Sequence, residues 1–203
     1  MSWITTPDVS DATGDAGAAY DRDRAAMGYV ANYTRVFANR PAVLAAWNEL
    51  NGAIKESMDL RRYELATIAA ALRLRSSYCS LGHGQVLAEK FVGADSIPGI
   101  VMDPQAAGLT PVELAVMALA DKVAAGAADM TENDLTELRA LGVEDAEILD
   151  VVLAAAARCF FSSVLDAVGA QPDAAFRALD PAMRQALTVG RPIEASPTEE
   201  RRS

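Results

Sequence analysis

Apolar residues recur at helical spacing along most of the chain, and the elements follow from that pattern. From about Gly17 to Ala38, Tyr20, Met27, Val30, Tyr33 and Phe37 mark one face of a first helix. Arg40-Pro41 ends it, and Pro41 suits the opening of a second helix over 42–55, with Val43, Leu44, Trp47, Leu50 and Ile54 turned inward. Glu64 to Arg75 is an alanine-rich apolar run for which Asp59 is the expected cap. The Arg-Ser-Ser-Tyr at 75–78 interrupts it, and another helix follows from about Tyr78 to Phe91, stopped by Gly93. Ser96-Ile97-Pro98-Gly99 begins an irregular connection. Thr110-Pro111-Val112-Glu113 combines a capping Thr, a Pro at the first helical position and a Glu three residues after the cap, so a helix runs from there to about Ala125. Further helices are expected over 131–141 and 144–168, each ended by a glycine, and short ones over 172–179 and 181–189.

This pattern gives an all-α fold with an irregular N-terminal arm at 1–16, a helical domain at 17–189 and a flexible tail at 190–203. Composition agrees. Of the 203 residues 51% are hydrophobic, with Ala, Leu and Val far ahead of the five Tyr and five Phe. A chain of this length can bury roughly 70% of its unfolded surface, enough for a core without disulfides or metals. The formal net charge of −10 argues against nucleic acid, which needs clustered Lys and Arg. Arg73, Arg75 and Arg158 break the longest apolar runs, so no membrane span is expected. Two cysteines, Cys79 and Cys159, and the lack of a basic-then-apolar leader point to a reducing interior, the cytoplasm.

The chemistry concentrates between Glu64 and His83, which hold a carboxylate, a thiol and the one histidine of the chain. Cys79 falls in the first turn of the helix after the serine corner, and His83 lies four residues on, so thiol and imidazole share a face and should touch. A helix N-terminus and a neighbouring imidazole both favour the thiolate, the form that attacks a peroxide oxygen or a disulfide sulfur. His83 is the candidate base and Glu64 the group that orients it or relays protons. One His and one Cys make a poor metal site, and no cofactor signature is present: no glycine-rich phosphate loop opens a helix.

Glu64, Ser76, Cys79 and His83, spaced by eleven, two and three intervening residues, resemble the signature of the alkylhydroperoxidase D-like, or carboxymuconolactone decarboxylase-like, family, in which Glu, Cys, Cys and His stand at that spacing. The resemblance implies an alkylhydroperoxidase D-like helical bundle and a thiol-dependent peroxidase, a peroxiredoxin-type oxidoreductase in antioxidant defence. Its substrate would be a small hydroperoxide and its reductant a thiol or a thioredoxin-like protein. The catalytic set would be Cys79, His83, Glu64 and Ser76. Ser76 stands where the family has its first cysteine, so the dithiol-disulfide cycle is closed to it. A one-cysteine cycle resolved by an external thiol stays open, as does resolution by Cys159. The family also implies a lyase alternative, decarboxylation of a muconolactone through His83 and Glu64. A non-catalytic scaffold is the third reading. Members assemble as dimers, trimers or hexamers, so a homo-oligomer is expected.

An echo of the motif appears 83 residues on, at Glu147, Cys159, Ser162 and Asp166. It suggests two halves, a motif hairpin at 59–92 and a second at about 110–169, related by a pseudo-twofold repeat. An imidazole replaced by a carboxylate would leave the second half structural.

Overall fold

The computed structural model describes residues 2–195, and among these it holds ten α-helices and no strand. They are α1 (Gly14–Met27), α2 (Asn32–Phe37), α3 (Pro41–Ser57), α4 (Leu60–Arg73), α5 (Ser77–Leu87), α6 (Ile97–Met102), α7 (Pro111–Gly126), α8 (Asn133–Ala140), α9 (Asp145–Ala167) and α10 (Pro181–Leu187). The expected all-α class holds, with differences in detail. The single first helix is two, because Gly28 takes a left-handed φ of 81° and closes α1, and the Asp23 carboxylate then accepts from Ala31 N–H at 2.9 Å where the chain restarts. The connection at 96–99 contains a short helix, α6, with Pro98 in its first turn. The helix expected over 78–91 ends as α5 at Leu87 and finishes in a π-turn, Ala88–Val92, before Gly93.

Helix α4 is the centre of the bundle and packs against α5, α7 and α9. Nine consecutive residues, Tyr63 to Ala71, are buried, so the helix is covered on every side. Its alanines make that possible, since small side chains let three neighbours approach one axis. Two polar residues lie within the buried run. Thr67 donates back to the Tyr63 carbonyl, and Glu64 has a partner on α5, described below. The ends are capped as the sequence suggests: Asp59 accepts from Arg62 N–H at 2.9 Å, and Thr110 and Glu113 form the reciprocal capping box of α7. Arg61 joins the two starts by donating to Glu113 at 2.5 Å.

Between α4 and α5 the chain turns at Leu74–Ser76, where Arg75 adopts a left-handed φ of 55° and Ser76 N–H bonds back to Ala71 at 2.9 Å. The 144–168 stretch is one uninterrupted helix, α9. Glu147, Cys159, Ser162 and Asp166 therefore lie along a single rod, whereas Glu64 and the Ser76–His83 group stand on the two sides of a corner. Helix α9 is long and apolar enough to cross a membrane by length and composition, but 44% of that window is buried in the bundle.

The ends of the chain pack more than their composition suggests. Trp3 N–H donates to Val168 at 2.8 Å, and its ring lies against Gly169 with the Arg191 guanidinium 4.3 Å from its centre. The arm thus docks on its own chain, at the end of α9. Of the expected tail, residues 190–195 are packed and 196–203 lie outside the described residues. Gly190 N–H donates to Ser77 Oγ at 2.7 Å, and Arg75 Nε donates to Val189 at 3.3 Å. A Cβ at position 190 would collide with the Arg75 carbonyl, a backbone atom that cannot swing aside. Gly190→Ala should therefore destabilise the protein by roughly 1–3 kcal/mol, read as a lowered urea midpoint at unchanged slope.

Candidate active site

The corner places Ser76 as the cap residue of α5 and Cys79 in its first turn, as the sequence implies. Glu64 is only 3% exposed, one turn into α4, and faces α5. Across that interface its Oε2 lies 2.6 Å from His83 Nδ1. A buried carboxylate needs such a partner. With Glu64 accepting from Nδ1–H, Nε2 is the nitrogen left to exchange protons. Burial, and then the positive charge of Arg158, push the His83 pKa down to about 4 against the pull of Glu64, so the ring is neutral at neutral pH.

The sulfur has a different partner from the one expected. No hydrogen bond joins Cys79 and His83; Arg158 Nη1 on α9 donates to Cys79 Sγ at 3.5 Å. A guanidinium can only donate, so it meets the lone pairs of the sulfur and not an S–H proton. Arg158 is 3% exposed, and its charge centre lies 5.7 Å from the Trp47 ring and 5.5 Å from the Phe161 ring. Burial works to lower its pKa, but Cys79 and Tyr63 beside it raise it on balance. Among the described residues no carboxylate salt-bridges it, and its Nε has no hydrogen-bond partner. Lys55 lies over the Tyr63 ring, its pKa lowered by burial against the attraction of Glu64. Arg158 and Lys55 thus bring two positive charges to the side of the site where Glu64 holds His83.

Cys79, His83 and Arg158 open on one cavity of about 320 Å³, walled by Tyr29, Tyr33, Trp47, Tyr78, Phe161 and Phe176. At its edge Asp173 accepts from Tyr78 Oη at 2.6 Å and from Asn32 N–H at 2.7 Å. Burial, with Asp173 adjacent, pushes the Tyr29 pKa up to about 12. Ser76 is fully buried, with the Asp166 carboxyl of α9 near its hydroxyl, and it is not a wall of the cavity. Cys159 is half-buried and absent from the walls too, and burial raises its pKa. Among the described residues no group of three His, Cys, Asp or Glu could hold a metal.

The residue that sequence reasoning missed is Arg158. It is the only charge between Val151 and Leu165, fifteen residues that otherwise read as a core helix. A lone arginine in such a run is a sign of a buried cation with a polar partner, not only of a break in an apolar stretch.

The bundle thus sets a thiol and an imidazole on one aromatic cavity, with a carboxylate buried behind the ring. Residues 41–122, the segment that holds Glu64, Ser76, Cys79 and His83, match the carboxymuconolactone decarboxylase family. Solved structures share the fold over most of the chain. An alkylhydroperoxidase AhpD core protein, an uncharacterized peroxidase-related protein from Ralstonia eutropha JMP134, is 19% identical with a TM-score of 0.78, covering 88% of this chain and 95% of its own. A peroxidase-related protein from Silicibacter sp. TM1040 is 18% identical with a TM-score of 0.73 over the same shares. The debrominase Bmp8, a variant of it in complex with 2,3,4-tribromopyrrole, is 14% identical with a TM-score of 0.70, covering 91% and 95%. No curated protein matches the chain significantly.

The depressed imidazole pKa has a thermodynamic consequence. Unfolded, His83 titrates near 6.5; folded, near 4, so between those values the unfolded chain binds more protons and stability rises with pH. The urea midpoint should climb from pH 4.5 to 6.5 more steeply in the native protein than in His83→Gln, which keeps a donor for Glu64 but does not titrate. Parallel profiles would show that the ring is not held neutral.

Proposed function

We propose that the protein is a thiol-dependent, peroxidase-like oxidoreductase acting on small alkyl hydroperoxides by a one-cysteine cycle. The observation that carries this is the meeting of Cys79 sulfur, a neutral imidazole and a buried guanidinium at one aromatic-walled cavity. Cys79 is the nucleophile. His83 takes its proton by way of a water in the cavity, with Glu64 holding the ring, and the thiolate attacks the distal oxygen of the hydroperoxide. The O–O bond breaks, the sulfur becomes a sulfenic acid, and the alkoxide leaves as alcohol with the proton carried by His83. Arg158 faces the charge that passes from sulfur to leaving oxygen, which makes it an electrostatic stabiliser. An external thiol then forms a mixed disulfide and releases water, and a second thiol regenerates Cys79. Small thiols or a thioredoxin-like protein would serve, in keeping with a reducing cytoplasm. Ser76 remains in the reading as the polar substitute for the first family cysteine.

One observation favours a second reading. A buried cation without a carboxylate partner, beside a complete Glu64–His83 pair, would also suit a lyase that decarboxylates an anionic lactone by proton transfer. That chemistry does not use the sulfur.

Peroxide consumption with a dithiol reductant separates the two. The native protein should reduce tert-butyl hydroperoxide, Cys79→Ser should lose at least about 100-fold in rate, and Arg158→Met should lose about 10- to 100-fold. Ser76→Cys should raise turnover by supplying a resolving thiol. Turnover that survives Cys79→Ser, or a flat series with none, rejects the peroxidase.

A further inference from the structure

We infer that the outer face of α9, with α3 beside it, is the surface on which a second copy of this chain docks. This goes beyond the chemistry proposed above and does not depend on it. On a helix at the surface of a bundle, the side opposite the core ordinarily carries charge. Along α9 the buried positions include Ile148, Val151, Ala155, Arg158, Ser162 and Leu165, and the opposite side presents Leu149, Leu153, Ala156, Phe160 and Ser163. Leu149 is 55% exposed, Leu153 40% and Phe160 46%. These positions step by four, three, four and three residues, the spacing of a seam between paired helices. The one arginine of this stretch turns inward and the acids at the start of α9 are engaged elsewhere, Asp145 by Arg139, Glu147 by Arg62 and Asp150 by Ser57.

Helix α3 packs beside α9 and extends the patch. Val43 and Leu50, expected to turn inward, are 43% and 51% exposed. Phe160 links the two helices by resting on Trp47, ring centres 5.7 Å apart.

The occupant follows from size, charge and symmetry. The exposed parts of these side chains and the alanines between them come to on the order of 500 Å² of apolar area, close to the apolar share of one side of a standard interface. Two copies that each carry a formal charge of −10 repel wherever acids face each other, and this patch is where they can meet without burying one. An antiparallel pair of α9 helices about a twofold at Ala156 sets Leu153 of one copy against Phe160 of the other, with the small residue at the point of closest approach. Because Phe160 lies on Trp47, a wall of the cavity, docking would also fix that wall.

Light scattering and sedimentation velocity on the full chain at about 20 µM test this. Leu153→Glu and Ala156→Glu should each halve the mass of the native particle, whatever its size, with helical circular dichroism unchanged. Met102→Glu, which charges the most exposed apolar side chain outside this face, at 79%, should leave the mass as it is. Should a charged variant unfold, Ala156→Cys with a short bis-maleimide linker should cross-link copies of the folded protein, judged against the background from Cys79 and Cys159. A monomeric native protein, a native mass that both charged variants preserve, or a monomer that floats with phosphatidylcholine vesicles overturns the assignment.

Discussion

The site depends on one carboxylate taken out of water. Glu64 lies inside the most buried helix of the bundle, where an unpartnered charge would cost several kcal/mol, and its partner comes from the neighbouring helix. That single contact joins α4 to α5 across their corner and fixes the orientation of the imidazole. Arg158 reaches the same region from α9. The three helices therefore meet through polar groups at one point and through alanine and leucine elsewhere, and the polar point determines which face of α5 looks into the cavity.

The motif was legible because its members lie within twenty residues on two adjacent helices, so spacing alone predicts which face they share. The helix boundaries were legible where a cap or a Pro marked them, as at Asp59 and Thr110. What sequence could not supply was anything held by long-range contact. The sulfur's partner sits 79 residues away on α9, and helical spacing says nothing about contacts between distant helices. Periodicity also misled at α3. Val43 and Leu50 fit the apolar phase of the helix, and only the packing shows that this phase is wider than the buried face. At Gly28 the error was of another kind, since an apolar pattern continues across a residue whose backbone does not.

The cavity draws on two parts of the chain with different standing. Its reactive members, Cys79 and His83, and part of its wall, including Trp47, lie in the segment shared with the family. Tyr29 and Tyr33 lie before it, and Arg158, Phe161, Asp173 and Phe176 beyond it. The shared segment thus carries the thiol and the imidazole, while the parts on either side shape the space around them and the later one supplies the buried cation.

The back of α5 carries a last consequence. Ser77, Ser80 and Gly84 make a strip of small residues on the side away from the cavity, and the chain's own C-terminal stretch fills it: Ser80 donates to the Leu187 carbonyl at 2.5 Å, Leu187 occupies the space over Gly84, and Gly190 is tied to Ser77. These residues are small to admit a returning strand of chain, not to serve a reaction. The family segment taken by itself would leave that trench open to water beneath its own reactive helix, so the domain is closed by a latch that its recognisable portion does not contain.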